Sequence, residues 1–160
     1  ERYAEFLKID FPRLPLTGDL ALFRALAEKG RQMVSLHLME AEVLQQIGVR
    51  YPISGSNQVV SRHPRYLSPG QPDPENGEAL QAGRVYINKK QYFEGIEPNV
   101  WNFQVGGYQV LDKWLKDRKR ARRALDFDDV RHYGRIVVAL RHSLRLMAEI
   151  DDLIPGWPLD

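Results

Sequence analysis

From Asp126 to Asp152, apolar residues recur at Val130, Tyr133, Val137, Leu140, Leu144 and Met147. Steps of three and four put them on one face of a long helix. Asp126 is a suitable N-cap, because its carboxylate can accept from the first free amides. A second stripe runs through Phe23, Leu26, Ala27, Val34, Leu38, Ala41 and Leu44. It predicts a helix from Asp19 to Ile47, capped by Thr17 or Asp19 and stopped by Gly48. Gly30 falls within that stripe, which implies close packing there. Two long amphipathic helices packed together constrain the fold more than any other feature of the chain.

The segment between them has a different character. Arg84 to Asn88 reads as a strand with Val85 and Ile87 facing one way and Tyr86 the other. Val100 to Val105 alternates in the same manner and predicts a second strand. Asn57 to Ser61 suggests a short third strand, and Gln91 to Pro98 a turn or short helical piece. Ser68 to Gly83 holds three prolines and three glycines and reads as an exposed loop. Gly106-Gly107 then leads into a helix over Tyr108–Arg120 that buries Val110, Leu111, Trp114 and Leu115. That glycine pair could cradle an anion, but a plain strand-to-helix corner explains it more simply.

The expected class is therefore α+β: a small, mostly antiparallel sheet of short strands bracketed by two long amphipathic helices. The 160 residues suit a single domain, able to bury roughly 70% of its unfolded surface. Its parts would be a lead-in over 1–17, a helix over 19–47, a strand and loop region over 50–105, and two helices within 108–152. Arg2–Lys8 looks helical, and the prolines at 12 and 15 force the stretch after it to be extended. The chain starts at Glu1 inside that helical pattern, as a segment of a longer polypeptide would.

Charge is unevenly spread. Residues 1–83 carry −1, residues 84–123 carry +6 and residues 124–160 carry −3, within a net charge of +2. Lys113, Lys116, Arg118, Lys119, Arg120, Arg122 and Arg123 place seven cations in eleven residues, with Asp117 the one acid among them. The helix dipole accounts for two or three cations at a C-terminus. Seven imply a polyanionic partner, and the phosphates of double-stranded DNA are the commonest. Arg62, Arg65, Lys89 and Lys90 add loop cations. Asn57, Gln91 and Asn102 could read adenine edges, and arginines could read guanine, but an ordinary surface position explains each more simply. The row Arg131, Arg135, His142 and Arg145 reads as a solvated face.

Signals of chemistry are sparse. There is no cysteine, so no disulfide and no thiolate metal site. His37, His63, His132 and His142 lack metal-ligand spacing, and His37 reads as a packed core histidine. Asp126, Asp128 and Asp129 are explained by a helix start. Neither standard glycine-rich nucleotide loop is present, nor is an apolar run long enough for a membrane span. No catalytic or metal-binding residue is therefore assigned.

Four blocks carry a resemblance: FLKIDFPRLPLT (6–17), GRVYINKKQYFEGI (83–96), VWNFQVGGYQVLDKWLKDRK (100–119) and HYGRIVVALRHSLRLMAEID (132–151). In this order they resemble the C-terminal specificity region of type ISP restriction–modification enzymes. The resemblance implies one polypeptide with a nuclease, a DNA-translocating ATPase, an adenine-N6 methyltransferase and a target recognition domain, this chain being the last. It also implies that S-adenosylmethionine, ATP and magnesium bind in other domains, since no Asn-Pro-Pro-Tyr methylation motif occurs here. The expected partners are double-stranded DNA and the methyltransferase domain of the same polypeptide, in a bacterial cytoplasm. Arg120 to Arg123 depart from the family pattern in being unusually basic.

The leading expectation is a non-enzymatic module that reads a short duplex sequence. Phosphate contacts would come from residues 113–123, and base contacts from loops near 57–66 and 88–92. One rival is an interdomain coupling module that does not read bases. Another is a nuclease using Asp126, Asp128 and Glu149.

Overall fold

The computed structural model describes residues 16–46 and 48–156. The expected lead-in helix and extended proline segment lie outside these residues. Within them the fold is α+β, with four helices and short antiparallel strands.

The first helix, α1, spans Leu20–His37. Asp19 caps it, accepting from the amides of Ala21 at 2.7 Å and Leu22 at 3.2 Å. It ends ten residues before the expected Ile47, because Met39 turns into the left-handed region at φ 61°. Arg135 Nη2 donates to the Met39 carbonyl at 2.7 Å, holding that reversal in place. A 3-10 turn at Glu42–Gln45 then drops Leu44 onto the core. Ala41 and Leu44 thus join the apolar interior by a chain reversal, a route that periodicity cannot distinguish from a continuing helix. Leu36 packs with Val138, Ala139 and Leu146, while Phe23, Val34 and Leu38 are exposed. Gly30 has open space around it, contrary to the close packing expected.

The sheet has three strands, β1 Arg65–Leu67, β2 Arg84–Tyr86 and β3 Tyr92–Glu94, antiparallel in that order. Two expectations are corrected here. Residues 57–61 form a loop rather than a strand, and part of the stretch 91–98 is β3. Val85 pairs with Phe93 on the face toward the main core, and Tyr86 with Tyr92 on the other. The second face is not bare. Leu67, Leu80 and Ile53 cover the two tyrosines, so Ser68–Gly83 is an ordered excursion. Arg84 closes it with bonds to Asp73 at 2.7 Å and Glu94 at 2.9 Å.

The predicted strand at Val100–Val105 is a helical turn, α2 Pro98–Trp101, followed by a two-residue strand. Proline at the first helical position is preorganised for helix and loses no amide bond there. β4 Gln104–Val105 and β5 Tyr108–Gln109 form a hairpin around Gly106 at φ 56° and Gly107 at φ 79°. Two successive positive φ values define the two-residue hairpin turn that matches strand twist. The glycines therefore serve a hairpin, not a strand-to-helix corner.

α3 spans Val110–Arg120, and α4 spans Phe127–Leu153. Asp126 and Asp129 form a reciprocal capping box at the start of α4. The expected stripe is buried at Tyr133, Val137 and Leu140, but Met147 is exposed. Ile136, Val138, Ala139 and Leu146 are also buried, because α4 carries the sheet on one side and α1 on the other. Tyr133 is the centre of the aromatic core, with ring centroids 4.3 Å from Phe93 and 5.3 Å from Trp114. Burying a side chain of that size contributes about 2–3 kcal/mol. His37 is exposed in the last turn of α1 and bonds Ser143 at 3.2 Å, so it is not a core residue.

Candidate nucleic-acid interface

The cations of α3 and its tail are mostly neutralised within the fold. Lys113 pairs with Asp117 at 2.8 Å and Lys116 with Asp112 at 2.6 Å. Arg123 bridges Asp126 at 3.2 Å and Asp129 at 2.7 Å. Arg118 lies 3.7 Å from Asp129 and stacks on Trp114 at 3.5 Å from the ring centre. Arg120 reaches Asp117 at 3.9 Å. Five of the seven cations expected to face a polyanion therefore meet carboxylates first. The Asp129 carboxyl shows the balance. Burial pushes its pKa up, but bonds from Arg123 and the Asp126 amide, with the charges of Arg123 and Arg118, bring it below the usual range. The Asp117 carboxyl is likewise lowered, chiefly by its bond from Lys113.

A different set of cations is free. Arg62, Arg65, Lys89, Lys90, Lys119 and Arg122 have no carboxylate partner among the described residues, and all but Lys119 are exposed. They are gathered by hydrogen bonds. The Val60 amide donates to the Ile87 carbonyl at 3.0 Å, which sets the 54–62 loop beside the 88–91 turn carrying Lys89 and Lys90. The Leu125 amide donates to the Asn57 carbonyl at 2.8 Å, and Lys119 Nζ to the His63 carbonyl at 3.2 Å. These bonds set the loop against α3 and the segment after it, where Arg122 lies. Arg62, at φ 64°, follows the loop, and Arg65 opens β1.

The loop is organised by a side chain that sequence reasoning placed at the surface. Gln91 is 2% exposed. Its Oε1 accepts from the Asn57 amide at 2.8 Å and from Asn88 Nδ2 at 2.9 Å. Its Nε2 donates to the Ile53 carbonyl at 3.0 Å and to Asn57 Oδ1 at 2.7 Å. Asn57 Oδ1 also accepts from Tyr51 Oη at 3.1 Å. Gly55 lies so close that a Cβ there would meet the Gln91 carboxamide at 2.8 Å. Gln91 is therefore not presented as a base reader, while Asn57 is half-buried with its Oδ1 already accepting two bonds. Beyond this cluster a groove of about 410 Å³ opens, lined by Ser54, Ser56, Val60, Asn88, Lys89 and Lys90 among others.

Gln58 is the residue that sequence reasoning overlooked. It is exposed, and its side chain has no hydrogen bond among the described residues. Both of its backbone groups are held: the amide donates to Ser56 Oγ at 3.4 Å, and the carbonyl accepts from Asn88 Nδ2 at 3.3 Å. The acids of the rival nuclease reading do not converge. Asp128 and Glu149 lie on one helix about 30 Å apart at 1.5 Å per residue. Glu149 instead binds Lys29 at 2.5 Å.

The order of the sequence blocks and this architecture meet in one finding: residues 1–149 match the type ISP C-terminal specificity domain. The chain belongs to that family. No curated protein and no solved structure matches it. Membership in a specificity-domain family supports a role in DNA target recognition within a restriction–modification enzyme, and association with the rest of that polypeptide. Such domains are typically non-catalytic. No helix among the described residues is long and apolar enough to cross a membrane.

Proposed function

We propose that this specificity domain docks on double-stranded DNA through the face built from the 54–62 loop and the 88–91 turn. Arg62, Arg65, Lys89, Lys90, Lys119 and Arg122 contact phosphates and fix the register, while the loop between them enters the major groove. The domain thereby presents one adenine for flipping into the methyltransferase pocket of the same polypeptide and directs its restriction activity. S-adenosylmethionine, ATP and magnesium act in those other domains. The observation that carries this reading is that an internally braced loop is bonded to two segments carrying exposed cations with no carboxylate partner among the described residues. A titration of duplex DNA over a salt series tests it. Affinity should fall steeply with salt, and it should respond to changes at the loop cations more than at the α3 cations. Absence of duplex binding at low salt would overturn it.

The coupling reading has one observation of its own. Leu20, Phe23, Val34 and Leu38 leave an apolar strip of α1 exposed. Capture of the rest of the polypeptide by this strip, without any duplex affinity in the chain, would favour that reading.

A further inference from the structure

The face proposed for DNA holds four carboxamides, and three of them are engaged inside the fold, Asn57 through its Oδ1. Asn57, Asn88 and Gln91 bond to one another and to the main chain. Gln58 is the exception. Its neighbours are anchored on both sides: Asn57 by Gln91, and Val59 by the main core, where it is 6% exposed. Its own backbone is tied to Ser56 and Asn88. An exposed amide on a backbone fixed at each step has little ordering entropy left to lose except its own rotamers. A glutamine carboxamide can donate to N7 and accept from N6 of adenine together. The exposed Arg62, four residues along the chain, and Lys89, beside Asn88, are the cations that would contact phosphates near it.

We infer that Gln58 reads an adenine of the target sequence and that the buried amide of Gln91 is the positioning residue that holds it in register. This rests on the DNA-docking reading above. Gln91 touches no base. It acts by fixing the Asn57 main chain and, with Asn88, the path of the loop through Gln58.

Selection of the full chain against a random-sequence duplex library tests the assignment. The wild-type chain should enrich a defined motif containing adenine. Gln58→Ala should lose about tenfold discrimination at one adenine position and keep the rest of the motif. Gln58→Glu should shift that same position from adenine toward cytosine, whose amino group a carboxylate accepts. A side chain with only a structural role would not produce that swap. Gln91→Met should blunt the same position, and its effect should not add to that of Gln58→Ala. If thermal melting shows that Gln91→Met does not fold, Asn57→Gly replaces it. Glycine tolerates the positive φ of 54° there while removing the Oδ1 acceptor. Retention of the full wild-type motif by both Gln58 variants overturns the reader assignment. Unaltered discrimination in the Gln91 or Asn57 variant overturns the positioning role. If the wild-type chain binds duplexes but enriches no motif, base reading itself fails while docking stands; if it binds none, the docking reading fails.

Discussion

Two basic regions of this molecule invite comparison: the α3 tail and the braced loop face. The tail is far denser in sequence, yet five of its seven cations meet Asp112, Asp117, Asp126 or Asp129. The loop face draws its cations singly or in pairs, Arg62 and Arg65, Lys89 and Lys90, Lys119 and Arg122, and none of these meets a carboxylate among the described residues. Charge density along a chain is therefore a poor measure of the field a partner meets. What counts is whether the acids nearby in space are already committed to the same cations.

Several changes would break or sharpen that contrast. The largest effect is expected from neutralising Arg62, Arg65, Lys89 and Lys90 together to Gln. Duplex affinity near 0.1 M salt should fall by about 100-fold or more, and the salt slope should shrink by about 3. Equal losses from the same change at Lys113, Lys116, Arg120 and Arg123 would erase the distinction. Next comes Arg84→Met, which strips a largely buried cation from Asp73 and Glu94. It should lower Tm by about 6 °C, because Asp73 loses its cation while Glu94 is left with the exposed Arg50 alone.

Asp129→Ala acts on the paired region directly. It removes half of the capping box and should cost about 1–2 kcal/mol in a denaturant melt. It also frees Arg118 and leaves Arg123 with Asp126 alone, so duplex affinity should rise about twofold, against the direction of its stability effect. The same carboxyl predicts a pH response. Its folded pKa lies below its unfolded value, so its contribution to stability is present above the unfolded carboxylate range, near pH 4, and is lost as pH falls through the folded value. The stabilities of wild type and Asp129→Ala should therefore begin to converge as an acid titration passes below about pH 4. The smallest effect is expected from Lys113→Gln with Lys116→Gln. Both are exposed i,i+4 pairs on α3, and duplex affinity should change by less than about twofold.

Much of the frame was legible in the residues. Asp19 and Asp126 announce their helices through capping chemistry, and the Tyr133–Leu140 stripe marks the core face of α4. β2 was visible because Val85 and Ile87 alternate with Tyr86. The failures have physical causes. Met39 ends α1 through a long-range bond to Arg135, which no local propensity encodes. Trp101 and Phe103 alternate like a strand, but Pro98 starts a helical turn that buries Val100 with Trp101. Two features of the candidate face were not legible. Pairing between α3 and the start of α4 is invisible until both are folded. The bonds from residue 91 to 53 and 57 span more than thirty positions, so a buried glutamine looked like a surface one.

The carboxamide cluster around Gln91 also bears on how such a domain can evolve. It keeps the shape of the loop in residues that water scarcely reaches and leaves Ser54, Gln58 and Ser61 outside that framework. Substitutions at those outer sites alter what the loop meets without unsettling what holds it up. On the docking reading proposed above, such outer substitutions would move the target by single steps while the buried bracing stays in place.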